Sequence, residues 1–208
     1  MMNTSTAILY YVHDPMCSWC WGFRRSWDKL RNALPANVTV FNVVGGLAQD
    51  SEDPMPVEQQ KTIAGHWVSV GEQTGAEFNF DFWEKCSPRR STYPACRAVL
   101  AAARQDAEET MIEAIQHAYY LRAMNPSDNP VLIELAGELG LDVQRFSVDL
   151  VSMKIEAVLE ENFSLRRVLG VRVFPSLVLA QGKDLFPIEV DYTSHLTMRD
   201  AICALLDE

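Results

Sequence analysis

The chain of 208 residues is 48% hydrophobic, enough to bury a full core without disulfides, as one large domain or as a domain carrying an insertion. Lys and Arg total 18 against 28 Asp and Glu, and the net charge of -10 argues against nucleic acid or an anionic membrane surface as partner. No window approaches the eighteen or so consecutive apolar residues of a membrane span.

The N-terminal run MMNTSTAILYYVHDPMC lacks the basic region and longer apolar core of a secretory signal, which points to a cytoplasmic form; a mature form already stripped of its signal would read the same way. Within it, Ala7 to Val12 is a short apolar and aromatic run that predicts a buried strand ending near the first cysteine. A helix follows, with Trp19, Phe23, Trp27, Leu30 and Leu34 at helical spacing and Pro35 as its stop. Val38 to Gly46, VTVFNVVGG, is rich in β-branched residues and closes on a glycine pair, so strand, helix and strand predict a parallel βαβ unit.

From about Leu47 to Arg145 the pattern predicts helices alone. Pro56 opens one toward Gly71, and Pro94 opens another through ACRAVLAAARQ. Ala107 to Arg122 places Met111, Ile112, Ile115, Ala118 and Tyr119 on one face, and Asn129 and Pro130 fit N-cap and N1 of a short helix ending at Gly140. Ser147 fits the cap of a helix running through Ile155, Val158 and Leu159 to Gly170. Strand pattern then returns in Val173 to Ala180 and Leu185 to Val190, joined by a turn at Gln181 and Gly182 that predicts an antiparallel hairpin. A last helix spans His195 to Leu206. Residues 1–46 and 146–208 thus read as one α/β domain, and 47–145 as a helical insert domain.

Five cysteines, an odd number, argue against a secreted disulfide framework. Cys17 and Cys20 fall where a strand hands over to a helix, and the free N–H groups and dipole of a helix N-terminus favour a thiolate at Cys17. The i, i+3 spacing lets Cys20 reach back to Cys17, so a mixed disulfide there can be resolved internally. Zinc would need two further ligands at matching spacing, and there is no second CxxC, so no metal is expected. Two inert buried thiols are the competing reading, since free Cys is often a core residue. Cys203 reads as core, Cys86 and Cys96 as unbridged in a reducing cytoplasm, and FNFDFW, Phe78 to Trp83, as packing beneath the insert.

CSWC at the strand-to-helix turn and GVRVFPSLVL, Gly170 to Leu179, together resemble the thioredoxin superfamily, in which a Gly-Val-Arg-x-x-Pro-x-Leu run carries a cis-proline. The style of DPMCSWCWG and the insert of roughly a hundred residues resemble its DsbA branch, and within it the cytoplasmic predicted protein-disulfide isomerases related to FrnE and to 2-hydroxychromene-2-carboxylate isomerase. The resemblance implies a thioredoxin fold, βαβ and ββα halves, with a large all-helical insertion. It implies Cys17 as the exposed nucleophile, Cys20 as the buried resolving thiol and Pro175 as the cis-proline packed against them. The backbone of Phe174 would pair with the extended chain of a substrate. Ser18 and Trp19 would flank the sulfur, Trp19 as substrate platform or as packing aromatic.

Two departures from better-known members matter. The thioredoxin pattern has a buried acid six positions before the nucleophile; this chain has Tyr11 there, which leaves Tyr11, His13, Asp14 and water as candidates for proton transfer. Ser-Trp replaces the Pro-His of strongly oxidising members, so a less oxidising pair is expected, with Arg24 and Arg25 too far along the helix to help. The implied activity is thiol–disulfide exchange of the protein-disulfide-isomerase type on a protein, peptide or small-thiol substrate, without a bound cofactor. Glutathione is a candidate co-substrate, its carboxylate received by Arg89 or Arg90. The alternatives are a glutathione-dependent isomerase or transferase of the kappa and 2-hydroxychromene-2-carboxylate type, whose nucleophile position holds Ser rather than Cys, and a non-catalytic thioredoxin-like binding module.

Overall fold

The computed structural model describes residues 7–207; the first six residues of the run read for a signal lie outside the described residues. Strand β1 (Ala7–His13) and strand β2 (Val38–Val44) run parallel and are joined by helix α1 (Ser18–Ala33). Strand β3 (Ser176–Gln181) lies antiparallel on the other side of β1, and β4 (Asp184–Ile188) lies antiparallel beyond it, giving the sheet order β2-β1-β3-β4. Between β2 and β3 the chain forms α2 (Val57–Thr74), α3 (Asp81–Lys85), α4 (Tyr93–Ala103), α5 (Glu108–Tyr120), α6 (Asn129–Glu138), α7 (Val143–Leu150) and α8 (Met153–Val168); α9 (His195–Leu206) follows β4. These are the βαβ and ββα halves with a helical insertion that the resemblance implies.

The residues explain the layers. Cys20, Phe23, Trp27 and Leu30 turn one face of α1 onto the sheet, where they meet Leu9, Tyr11, Leu177 and Leu179 together with Met198 and Ile202 of α9. On the opposite face Val12, Val43 and Val178 pack with Leu169 just past α8. The helical block has its own core around α4, whose buried Ala95, Ala98, Ala101 and Ala102 are small enough for α5, α6, α7 and α8 to lie against it. Phe78, Phe82 and Trp83 surround Trp67 at centroid distances of 5.3, 5.7 and 4.9 Å, so FNFDFW is packing. Helix α8 joins both layers, its Ile155, Leu159 and Phe163 lying in the core of the block while Asn162 Oδ1 accepts a hydrogen bond from Val44 N of β2.

Several expected boundaries move. The third strand begins at Ser176 rather than Val173, since Pro175 has no N–H to give a ladder. The helix expected from Ser147 to Gly170 is two helices: Asp142 caps α7 by accepting from Arg145 N, and Ser152 caps α8 by accepting from Ile155 N. Ser147 sits inside α7 and its hydroxyl donates back to Val143 O, the bond of a serine within a helix rather than of an N-cap. Asp128, not Asn129, is the N-cap of α6, and the hairpin turns at Gly182, with φ +62°, and Lys183, one residue later than the expected Gln181 and Gly182. No helix among the described residues is long and apolar enough to cross a membrane.

Candidate active site

The turn between β1 and α1 is pinned by Asp14. Its side chain is fully buried, with Oδ1 accepting from Met16 N at 2.8 Å and Oδ2 from Leu47 N and the Thr92 hydroxyl, both at 2.7 Å. The Cys96 thiol donates to the same Oδ2 at 3.6 Å. Burial raises the carboxyl above its ordinary pKa, and these hydrogen bonds oppose the rise. One side chain thereby ties the turn to the loop after β2 and to the start of α4, with both oxygens committed to donors.

Cys17 is the N-cap of α1, with extended φ and ψ of -85° and 118° and no side-chain cap, so the first amides of the helix are free to face its sulfur. A hydrogen bond from the Cys20 thiol holds the Cys17 pKa below the usual thiol value, and the amides of Cys20 and Trp19 add to this against burial and the nearby Asp14. Cys20, wholly buried, is pushed well above that value, by burial first and then by Cys17. As a thiol, Cys17 donates from Sγ to Phe174 O at 3.6 Å.

Sheet register brings about that last contact across 157 positions. Val12 at the end of β1 faces Ser176 at the start of β3, so the Phe174–Pro175 peptide, which is cis, arrives beside the cysteine turn. Cys17 was expected to be exposed and is only 6% so. It opens instead into a cavity of about 500 Å3 walled by Phe174 on one side and by Ile63 and Trp67 of α2 on the other.

Tyr11 and His13 lie behind the pair. Burial raises the Tyr11 hydroxyl well above its ordinary pKa, with further rises from Cys20 and Cys17, so it stays neutral. The His13 ring stacks on Tyr11 at 4.8 Å, wholly buried, and neither ring nitrogen has a partner among the described residues. Burial, and then Arg24, lowers it to about 3, so its imidazole gains no proton near neutral pH.

Ser18 and Trp19 line the cavity, and Trp19 also packs edge-on against Tyr192 at 5.4 Å. The two arginines of the SPRR loop diverge. Arg89 donates to Ser51 O and Ser127 O and pairs with Asp128 at 2.7 Å, a structural clasp rather than a ligand contact. Arg90 lines the cavity together with Arg172, and neither guanidinium has an ion-pair or hydrogen-bond partner among the described residues. Arg24 is engaged with Asp28 and Glu113.

Sequence reasoning missed His66, Trp67 and Tyr119, which reach the cavity from α2 and α5. No spacing links them to Cys17. Arg172 stood inside the quoted GVR run and could have been found there. Cys86 and Cys96 are both free, Cys86 donating to Ala123 O at 3.0 Å, and Cys203 is half-buried rather than fully in the core.

Residues 10–186 match the family model described as thioredoxin. Among solved structures the chain is similar to a candidate protein disulfide isomerase from Nitrosomonas europaea, at 30% identity and a TM-score of 0.84, covering 97% of this chain and 98% of that one. It is also similar to the cytosolic disulfide reductase DsbM from Pseudomonas aeruginosa, at 26% identity and a TM-score of 0.76, covering 96% and 97%. That reductase has also been solved with GSH. A curated relative, the ClpXP adapter protein SpxH of Bacillus subtilis, is 25% identical over 173 residues, which cover 81% of this chain and 56% of that protein. The chain thus spans little more than half the length of the curated relatives it matches.

Proposed function

The chain belongs to the thioredoxin family, and from that premise we propose that it is a thiol–disulfide oxidoreductase of the protein-disulfide-isomerase type, working through Cys17 and Cys20. The observation that carries this reading is the opposed ionisation of two thiols one helical turn apart, the lower at a helix N-terminus and open to a cavity. Such a pair divides the labour of exchange. The Cys17 thiolate attacks a substrate disulfide, forms a mixed disulfide and expels one substrate thiolate. Cys20, protonated until then, attacks the Cys17 sulfur as its proton passes to the second substrate sulfur, so the Cys17–Cys20 bridge forms and that sulfur leaves as a thiol. The substrate gains two electrons and the pair loses two; two equivalents of an external thiol restore the reduced protein.

Glutathione suits both the external thiol and the cavity. The guanidinium groups of Arg90 and Arg172, without partners among the described residues, line the same cavity as Cys17 and offer bidentate sites for its carboxylates. The GSH-bearing structure of the relative DsbM supports this choice, and its cytosolic setting supports a reducing role in the cytoplasm. The test is a Cys20→Ser variant treated with oxidised glutathione. It is expected to stop at the mixed disulfide on Cys17, seen as one glutathione adduct by mass, while the wild-type chain proceeds to the internal bridge. Absence of both products would sink the proposal.

The likeness to an adapter protein favours a second reading, a binding module that keeps the frame for protein contacts. It requires that Cys17→Ser leave partner binding intact while the wild-type chain exchanges no disulfides.

A further inference from the structure

Arg166, in the last turn of α8, belongs to no motif in the sequence and has no carboxylate partner among the described residues. Its Nη1 donates to the carbonyl oxygen of Gly45, just past β2, at 2.5 Å. The guanidinium carbon lies over two rings, 5.7 Å from the centroid of Phe163 and 5.9 Å from that of Phe174. Both rings are seated on the glycine pair that ends the second strand: a Cβ at Gly45 would collide with the Phe174 ring, and one at Gly46 with Phe163. One turn earlier, Asn162 fastens α8 to Val44 N, so the arginine is carried on a docked helix. Phe174 is also the residue whose carbonyl accepts the Cys17 thiol.

We infer that Arg166 is a positioning residue: in cation–π contact with Phe163 and Phe174 and bonded to Gly45, it fixes the Phe174 carbonyl over the Cys17 sulfur and thereby sets the geometry in which that sulfur reacts. The inference deepens the oxidoreductase reading and rests on it. The broad guanidinium is what the clamp uses, because a lysine ammonium keeps the charge but, as a compact point charge, cannot lie over both rings while also donating to the Gly45 carbonyl. Loosening the clamp removes the acceptor of the Cys17 S–H, and a thiol that loses such a bond ionises more easily. The groups that also bear on Cys17, namely Cys20, Asp14, Tyr11 and Tyr120 behind it and Arg90, Arg172 and His66 across the cavity, are left in place by the variants below.

The test compares Arg166→Lys and Gly45→Ala with the wild-type chain, each checked for fold by far-ultraviolet circular dichroism. Two quantities are read: the pH midpoint of iodoacetamide alkylation at Cys17, and the rate with which reduced protein attacks oxidised glutathione on the alkaline plateau. Both variants are expected to move the midpoint to lower pH and to lower the plateau rate between about tenfold and a hundredfold, the scale for a reacting group displaced by about an ångström. Combined, they should be no worse than the more severe single variant, because they disturb one clamp. A folded Arg166→Lys protein with the wild-type midpoint and plateau overturns the assignment, even if Gly45→Ala alone has an effect. Should Arg166→Lys not fold, Phe163→Leu removes one of the two rings and is held to the same two results. If wild-type protein fails to react with oxidised glutathione, the oxidoreductase reading falls, while the alkylation midpoint still tests the clamp.

Discussion

At Cys17 and Cys20 two identical side chains are made chemically unlike by position alone. One is at the end of a helix with free amides and a thiol donor pointing at it; the other is sealed beneath with no water to solvate a charge. Alkylation at Cys17 is therefore predicted to rise with pH through a midpoint below the ordinary thiol value of about 8.5, since a lowered pKa leaves the thiolate populated at lower pH. Over the same range Cys20 should stay unmodified, which peptide mass mapping would show. Asp14 makes the second prediction at this scale. Asn in its place keeps the shape but turns one acceptor into a donor facing donors, either Met16 N or the Leu47 N and Thr92 pair. Denaturant unfolding of Asp14→Asn is expected to show a loss of about 1–3 kcal/mol, the range for a buried group left unpaired.

Among the elements, α8 connects the site to the rest of the molecule, since it packs on the sheet, on α4 and on the segment before β3. Its start rests on Ser152, whose Oγ accepts from Ile155 N, so Ser152→Ala should lower stability by about 1 kcal/mol in thermal or denaturant unfolding without moving the Cys17 titration. This helix also marks where sequence reading reached its limit. Periodicity and punctuation gave β1, α1, β2 and the terminal hairpin, because the strands are short apolar or β-branched runs, the helix buries one face, and a Pro or Gly stands close after each run. Two helices were merged at Val151 because Ile155 and Leu159 continue the apolar spacing and the cap that separates them, Ser152, is one of several serines nearby. At the site, Cys17, Cys20, Phe174 and Pro175 were legible because a motif carries them. His66, Trp67 and Arg166 acquire their place only through packing between elements far apart in the chain, which no local pattern records.

Taken whole, the chain carries a formal charge of -10, yet Arg90 and Arg172, without partners among the described residues, line the cavity beside the Cys17 sulfur. If the proposed exchange takes place there, a thiol substrate bearing carboxylates is expected to be preferred over a neutral one. Arg90→Gln and Arg172→Gln are each expected to raise the KM for oxidised glutathione about tenfold, the worth of one charge-assisted hydrogen bond of about 1.5 kcal/mol, with little change for the neutral bis(2-hydroxyethyl) disulfide. High salt should reduce the preference in the wild-type chain as well. The central claim, that Cys17 and Cys20 form a redox couple, is tested most directly by equilibrating the chain across a glutathione redox series and counting free thiols by mass, with Cys17→Ser alongside. The predicted result is a reversible two-electron transition confined to this pair, absent in Cys17→Ser, on the reducing side of the about -120 mV of the strongest oxidants. No intramolecular disulfide at any poise would contradict it.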